Sequence, residues 1–161
     1  MRAKILVLSD STAAGGRQDK AGAAVKALLE AQGWSIDALE ILPDEIDLIS
    51  ARLRDWAATD CEAIFTVGGT GLSPRDVTPE ATRAVVEREI PGLAELMRAE
   101  GLKKTRRAAL SRGICGLRSG RLVVNLPGST RGASESLQAI IDLLPHAADI
   151  AQGRTEHRDG R

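Results

Sequence analysis

The sequence has no tyrosine, one phenylalanine (Phe65) and two tryptophans (Trp34 and Trp56) in 161 residues. So sparse an aromatic set leaves nothing from which to build a base-stacking platform for single-stranded nucleic acid. Charge of one sign is also missing, because 22 Lys and Arg balance 22 Asp and Glu. A general polyanion binder would carry a basic surplus or stripe, so nucleic acid is set aside as a partner. Cysteine is scarce too. Cys61 and Cys115 form no CxxC pair, which speaks against a zinc site or a disulfide framework, and both read as small buried hydrophobes. No apolar stretch approaches the roughly 20 residues that span a bilayer, so no membrane association is expected. The Ile5–Leu8 run is too short for a signal-peptide core, and Ser9-Asp10-Ser11 follows without a cleavage site. The expected location is therefore the cytoplasm.

What is present is an ordinary globular composition, 43% hydrophobic, in a chain of one-domain length. The expected domain covers 1–150, followed by a polar, frayed tail over 151–161. Ile5 to Leu8 is a continuous apolar run, as in a strand buried on both faces. Ala21, Ala24, Val25, Leu28 and Leu29 then follow helical spacing, and Gly33 can stop that helix. Trp34 to Leu42 reads as a second strand, broken by Pro43. Ile46, Ile49, Leu53 and Trp56 share one helical face, and Ala63 to Val67 is a third strand running into Gly68-Gly69-Thr70-Gly71. Thr78-Pro79-Glu80 reads as a helix start with Thr as the cap. Pro91-Gly92 separates this helix from one containing Leu93, Leu96 and Met97. Ser111–Leu117 and Leu122–Leu126 read as two strands joined near Ser119-Gly120. A stripe of Leu137, Ile140, Ile141 and Leu144 forms a last helix that Pro145 ends. Strands alternating with helices predict an α/β layer fold with a mainly parallel sheet.

Ligands in open α/β sheets gather at the carboxyl ends of the strands. Four polar segments fall there: Ser9-Asp10-Ser11, Asp44-Glu45, Gly68 to Asp76, and Asn125 to Ser129. Gly68, Gly69, Thr70 and Gly71 could cradle phosphate oxygens on backbone N–H groups, or could simply form a tight turn that needs glycine. They complete neither GxxxxGK[ST] nor GxGxxG. Asp76 beside such a cradle suggests an intervening Mg²⁺, although pairing with Arg75 or another arginine is an alternative. Asp44 sits where an Asp N-cap is expected, contributing about 1 kcal/mol, and spacing alone favours the cap over catalysis. Asn125-Leu126-Pro127-Gly128-Ser129 offers side-chain donors or merely a turn, with Ser129 or Ser134 as a cap. Ser111-Arg112-Gly113 could meet an anion, whereas Lys103, Lys104, Arg106, Arg107 and Arg112 together could be a solvated basic face. His146 reads as a helix-end or core residue, His157 as tail, and the tryptophans as core anchors.

The stretch Gly68-Gly69-Thr70-Gly71-Leu72-Ser73-Pro74-Arg75-Asp76-Val77-Thr78-Pro79-Glu80-Ala81 resembles the hallmark of the MogA/MoaB family, which includes molybdopterin adenylyltransferases and the gephyrin G domain. Asp19-Lys20-Ala21-Gly22, Pro43-Asp44-Glu45, Ala109-Leu110-Ser111-Arg112-Gly113, Asn125 to Ser129 and Pro145-His146 extend the similarity over nearly the whole chain. The resemblance implies a three-layer α/β/α fold with a mainly parallel sheet, assembled as a homotrimer or homohexamer. It implies adenylylation of molybdopterin by Mg-ATP with release of pyrophosphate. Asp44 and Asp76 would then be the essential acidic pair serving Mg²⁺, and Gly68 to Gly71 would hold the nucleotide phosphates. Ser111, Arg112, Asn125, Pro127, Gly128 and Ser129 would line the pterin-side pocket, with Asp10 and Ser11 nearby. A molybdenum insertase or molybdopterin synthase is the implied protein partner. Ala21 and Thr130 depart from the family pattern, where Ser and Pro are common. The alternatives are a MoaB-type protein that binds molybdopterin without catalysis, and a CinA-like nucleotide pyrophosphatase.

Overall fold

The computed structural model describes residues 1–154; the tail residues 155–161, including His157, lie outside the described residues. Six strands form one sheet: β1 (Arg2–Leu8), β2 (Ser35–Leu42), β3 (Ala63–Val67), β4 (Arg88–Glu89), β5 (Cys115–Arg118) and β6 (Arg121–Leu126). Their order is β2-β1-β3-β6-β5-β4. β2, β1, β3 and β6 run parallel, while β5 and β4 add an antiparallel edge. Helices α1 (Asp10–Ala13), α2 (Ala21–Ala31), α3 (Ile46–Ala57), α4 (Thr78–Arg83), α5 (Pro91–Leu102), α6 (Thr130–Ile140) and α7 (Leu144–Ala151) make the connections.

Strand parity divides the core. Ile5, Val7, Phe65, Val124 and Leu126 face a layer built from α2, α5, α6 and α7, where Val25, Leu29, Met97, Leu137 and Leu144 meet them. Leu6, Leu8, Ile64 and Val123 face the opposite way, against Ile49, Leu53 and Trp56 of α3 and Ala81 of α4. Both faces of the central strands are covered, as the expected three-layer α/β/α fold requires, and each fully buried large side chain contributes about 1.5–3 kcal/mol. Trp34 packs edge-on against Phe65, with ring centroids 6.1 Å apart, while Lys4 Nζ sits 5.5 Å from the Trp56 ring.

Several local expectations are corrected. Thr78 is the first residue of α4 rather than its cap, and its hydroxyl donates to the Gly68 carbonyl at 2.9 Å. Asp44 does not cap α3, because Glu45 occupies the cap position and makes no side-chain cap bond. Pro145 lies in the first turn of α7 instead of ending α6, where its missing N–H costs nothing. His146 is exposed on that helix. Pro91 likewise opens α5, and the residues before Cys115 form a 3₁₀ segment (Arg106–Leu110) and a loop rather than strand. Ser129 does cap α6, its hydroxyl accepting the Gly132 N–H at 3.1 Å. Ser134 instead donates to the Thr130 carbonyl within the helix. Among the described residues, no helix is long and apolar enough to cross a membrane.

Candidate functional site

β1 and β3 are sheet neighbours, but the chain leaves β1 for the outer strand β2 before returning to β3. That reversal opens a crevice at the carboxyl ends of these strands, the place where α/β sheets bind ligands. Gly68 leaves β3 at a φ of +110°, and a Cβ there would lie under 3.0 Å from the Leu8 carbonyl oxygen. Gly69 follows with φ +67°, and a Cβ on it would strike the Thr78 hydroxyl. The two glycines therefore let the turn lie flat against β1 and α4.

The loop from Gly68 to Val77 has no regular structure but is tied at both ends and in its middle. The Thr78 N–H donates to the Gly69 carbonyl, and the Arg112 N–H donates to the Thr70 carbonyl. Asp76 closes a turn, its Oδ2 accepting the Ser73 N–H at 2.9 Å. The Arg112 guanidinium donates to the Gly71 carbonyl at 2.7 Å and to the Asp76 carbonyl at 2.8 Å, and also pairs with Glu80. This pairing holds the Glu80 carboxyl below its usual range. Arg112 thus buttresses the loop from behind and lines neither cavity of the site. That corrects the expectation of a pterin-facing guanidinium.

Asn125 is also committed elsewhere. It is buried, its Oδ1 accepts the Ile114 N–H at 3.2 Å, and its amide donates at 2.9 Å to the hydroxyls of Thr66 and Thr82. The residue borders the cleft, yet its amide faces inward and does not offer a donor to a ligand. Strand parity carries the signal for this: Asn125 shares the Val123 face of β6, directly beside Thr66 of β3.

Asp10 and Asp44, at the ends of β1 and β2, exchange backbone bonds. Asp44 N–H donates to Asp10 Oδ1 at 2.9 Å, and Asp10 N–H donates to Asp44 Oδ2 at 3.1 Å. Arg75 donates twice more to the Asp10 carboxylate, which is held below the ordinary aspartate range by that guanidinium. Ser11 is exposed on the short α1, its hydroxyl 3.2 Å from that of Ser9. Neither Asp10 nor Ser11 lines a cavity. Arg75 and the Asp44 N–H fix Asp10, the short α1 carries Ser11, and their neighbours Ser9 and Thr12 border a cavity at these strand ends.

The cleft has two lobes. One, of about 420 Å³, is bounded by Thr70, Gly71, Ser111, Pro127, Arg98 and the apolar Ala94, Met97 and Leu110. The other, of about 910 Å³, is bounded by Asp44, Gly68, Thr12, Arg17, Asp19 and Lys20. Gly69, Asp76, Gly128 and Ser129 border both. Sequence reasoning missed Arg17, whose only signal was its place before α2, and Arg98, which donates to the Gly113 carbonyl at 2.9 Å. Lys20 lay in the Asp19–Gly22 segment of the family resemblance but was given no part in the site. Lys103 and Lys104 form the ion-paired surface expected of a solvated face, with Glu100 and Glu135.

Among the described polar side chains, Asp44 Oδ1 is the one buried oxygen without a hydrogen-bond partner. Burial pushes this carboxyl above the ordinary aspartate range, and the nearby charges of Asp10 and Asp76 add to the effect against the bond from the Asp10 N–H. A buried acceptor left open is costly unless something meets it, and a divalent cation fits a carboxylate of this kind. The described residues contain no cluster of three or more His, Cys, Asp or Glu able to hold a metal alone. A cation here would draw on Asp44, Asp76 and ligand oxygens, which is how magnesium is commonly held beside phosphates. Cys115 offers no nucleophile, since burial pushes its thiol up to about 12.

Comparison with known proteins follows the same line. A family model described as a probable molybdopterin binding domain matches residues 4–146. The molybdenum cofactor synthesis protein cinnamon of Drosophila melanogaster is 40% identical over 148 residues, covering 91% of this chain, which spans only 25% of that longer protein. The molybdopterin adenylyltransferase of Helicobacter pylori J99 is 36% identical over 154 residues, covering 92% of this chain and 86% of that protein. The solved structure of the molybdopterin biosynthesis enzyme MoaB from Thermus thermophilus is 50% identical, with a TM-score of 0.89 over 94% of this chain and 96% of that one. A shared fold, a glycine turn at the strand ends and a match across most of the sequence lead to one assignment: the chain belongs to the MogA/MoaB family of molybdopterin-binding domains.

Proposed function

We propose that this protein is a molybdopterin adenylyltransferase, moving AMP from Mg-ATP to the terminal phosphate of molybdopterin with release of pyrophosphate. The observation that carries the proposal is the buried, unpartnered Oδ1 of Asp44, on a cleft whose two lobes meet at Gly69, Asp76, Gly128 and Ser129. Relatives named as adenylyltransferases support it. In this reading the larger lobe takes the nucleotide, with Arg17 and Lys20 near its polyphosphate. The smaller lobe, with Met97, Leu110 and Ser111, takes the pterin.

An oxygen of the pterin's terminal phosphate forms the new bond to the α-phosphorus. The bond from that phosphorus to the oxygen bridging the β-phosphate breaks, and pyrophosphate leaves with the electron pair. Two anions must approach, so alignment and charge neutralisation are the main tasks of the site. The Gly68 N–H is held by the Leu126 carbonyl, so the N–H groups of Gly69, Thr70 and Gly71 would meet phosphate oxygens. Thr70 and Ser129 would add hydroxyls, and no protein nucleophile is used. Asp44 and Asp76 would hold magnesium together with substrate oxygens. When bound, the ion screens the phosphates and stabilises the leaving pyrophosphate.

The test is incubation of purified protein with molybdopterin, ATP and Mg²⁺, measuring adenylylated pterin and pyrophosphate beside Asp44→Asn and Asp76→Asn. Pterin-dependent product from the wild type, reduced at least about a hundredfold in folded variants, is the expected result. A folded wild type that binds pterin and makes no product sinks the enzyme and leaves a non-catalytic molybdopterin binder. Assembly as a homotrimer or homohexamer belongs to the same reading, and light scattering measures it directly.

A further inference from the structure

The acidic pair leaves Arg75 without an assigned part. Arg75 immediately precedes Asp76, and its guanidinium grips the Asp10 carboxylate through Nε to Oδ2 and Nη2 to Oδ1, both at 2.9 Å. Asp10 is in turn bonded reciprocally to Asp44. A continuous linkage therefore runs from the loop carrying Asp76, through Arg75 and Asp10, to the strand end carrying Asp44. A planar two-bond fork fixes direction as well as distance, which a point charge cannot do. Asp10 and the Asp44 backbone are satisfied by this linkage, and so is Asp44 Oδ2. Only Asp44 Oδ1 is left open.

We infer that Arg75 is a positioning residue whose two-bond grip on Asp10 sets how Asp44 and Asp76 face each other. This rests on the Mg-nucleotide reading of the site, and it makes the affinity for the cation depend on a residue that does not touch it. The sign of the effect separates this role from simple electrostatics. Removing a nearby positive charge should tighten cation binding if Arg75 acts only through space. It should weaken binding if the loss of the fork lets the Asp76 loop drift from Asp44.

The experiment titrates Mn²⁺, as a spin-active substitute for Mg²⁺, into the full chain with a non-hydrolysable ATP analogue and reads free Mn²⁺ by electron paramagnetic resonance. It needs neither pterin nor turnover, so it stands apart from failure of the transferase assay. Arg75→Gln and Asp10→Asn should each weaken Mn²⁺ binding by roughly tenfold, as loss of a partner behind a metal ligand commonly does. The double variant should lose little more than either single variant, because both break one linkage. Arg75→Lys, which keeps the charge without the fork, should recover only part of the loss. The pair is exposed, at 59% and 44%, so the variants should fold, and melting curves establish the temperature at which all are compared. Mn²⁺ binding by Arg75→Gln as tight as, or tighter than, the wild type overturns the inference, as do single losses that add in the double variant.

Discussion

Replacing Asn125 with alanine separates a structural tie from a ligand contact. The side chain is 1% exposed and makes three hydrogen bonds, to Ile114 N–H, Thr66 Oγ1 and Thr82 Oγ1. At about 1 kcal/mol net for each bond, the variant should lose about 3 kcal/mol. The small cavity left behind adds to that loss. For a domain of this size the midpoint should fall by about 6–12 °C, taking roughly 2–4 °C for each kcal/mol. Urea denaturation followed by fluorescence of the buried Trp34 and Trp56 measures the same quantity independently. Thr66→Val, which keeps the shape and removes one acceptor, should cost about 1 kcal/mol, a third of the effect. A loss below about 1 kcal/mol in Asn125→Ala, accompanied by weakened pterin binding, would refute the inward-facing role and restore Asn125 to the ligand pocket.

Gly69→Ala places a Cβ on the Thr78 hydroxyl at a φ of +67°; backbone strain alone should cost about 1–2 kcal/mol, and nucleotide binding should fall with it. Calorimetric melting and a nucleotide titration check both, and an unperturbed melt would show that the turn yields freely. Asp44→Asn should melt above the wild type at neutral pH. The folded state raises this carboxyl through burial, so its contribution to stability is greatest below the ordinary aspartate range and declines as pH rises through the folded value. The advantage of the variant should shrink as the pH falls into the acid range. Added Mg²⁺ and ATP should raise the wild-type melting temperature more than that of the variant. A variant that melts below the wild type throughout neutral pH refutes the assignment.

The parts of the fold that could be read from the sequence are those with local causes. The Ala63–Val67 strand is buried at every position because both its faces are covered, and Gly33 follows α2 at φ +80°. The two-residue β4 was invisible, since Arg88 and Glu89 carry no apolar pattern and become strand only by pairing with β5. Pro145 misleads because proline both follows one helix and begins the next. The sequence segments bearing Asp44, Asp76, Thr70 and Ser129 stand out on their own, and they converge on one cleft. What each side chain does there is harder to read. Arg112 and Asn125 are of the types that meet anions, but the partners of the Arg112 guanidinium and of the Asn125 amide NH₂ lie 30 or more residues away in sequence, Glu80 and Thr82 among them. Arg75 meets Asp10 across a separation of 65 residues. No spacing rule carries such contacts; only the sheet order does.

The tethering of the Gly68–Val77 loop bears on when its disorder is removed. Fixing a backbone residue costs roughly 1–2 kcal/mol in entropy, and an untethered loop would oppose ligand binding by a multiple of that. Here Arg112, Thr78 and the Ser73–Asp76 turn have already restricted it in the folded chain. Its ordering thus belongs to folding rather than to recognition, and a ligand meets a surface whose shape is set before it arrives. Substitutions at Arg112 and Thr78, which line neither lobe of the cleft, should consequently appear first as lost folding stability, before any atom that touches a ligand has changed.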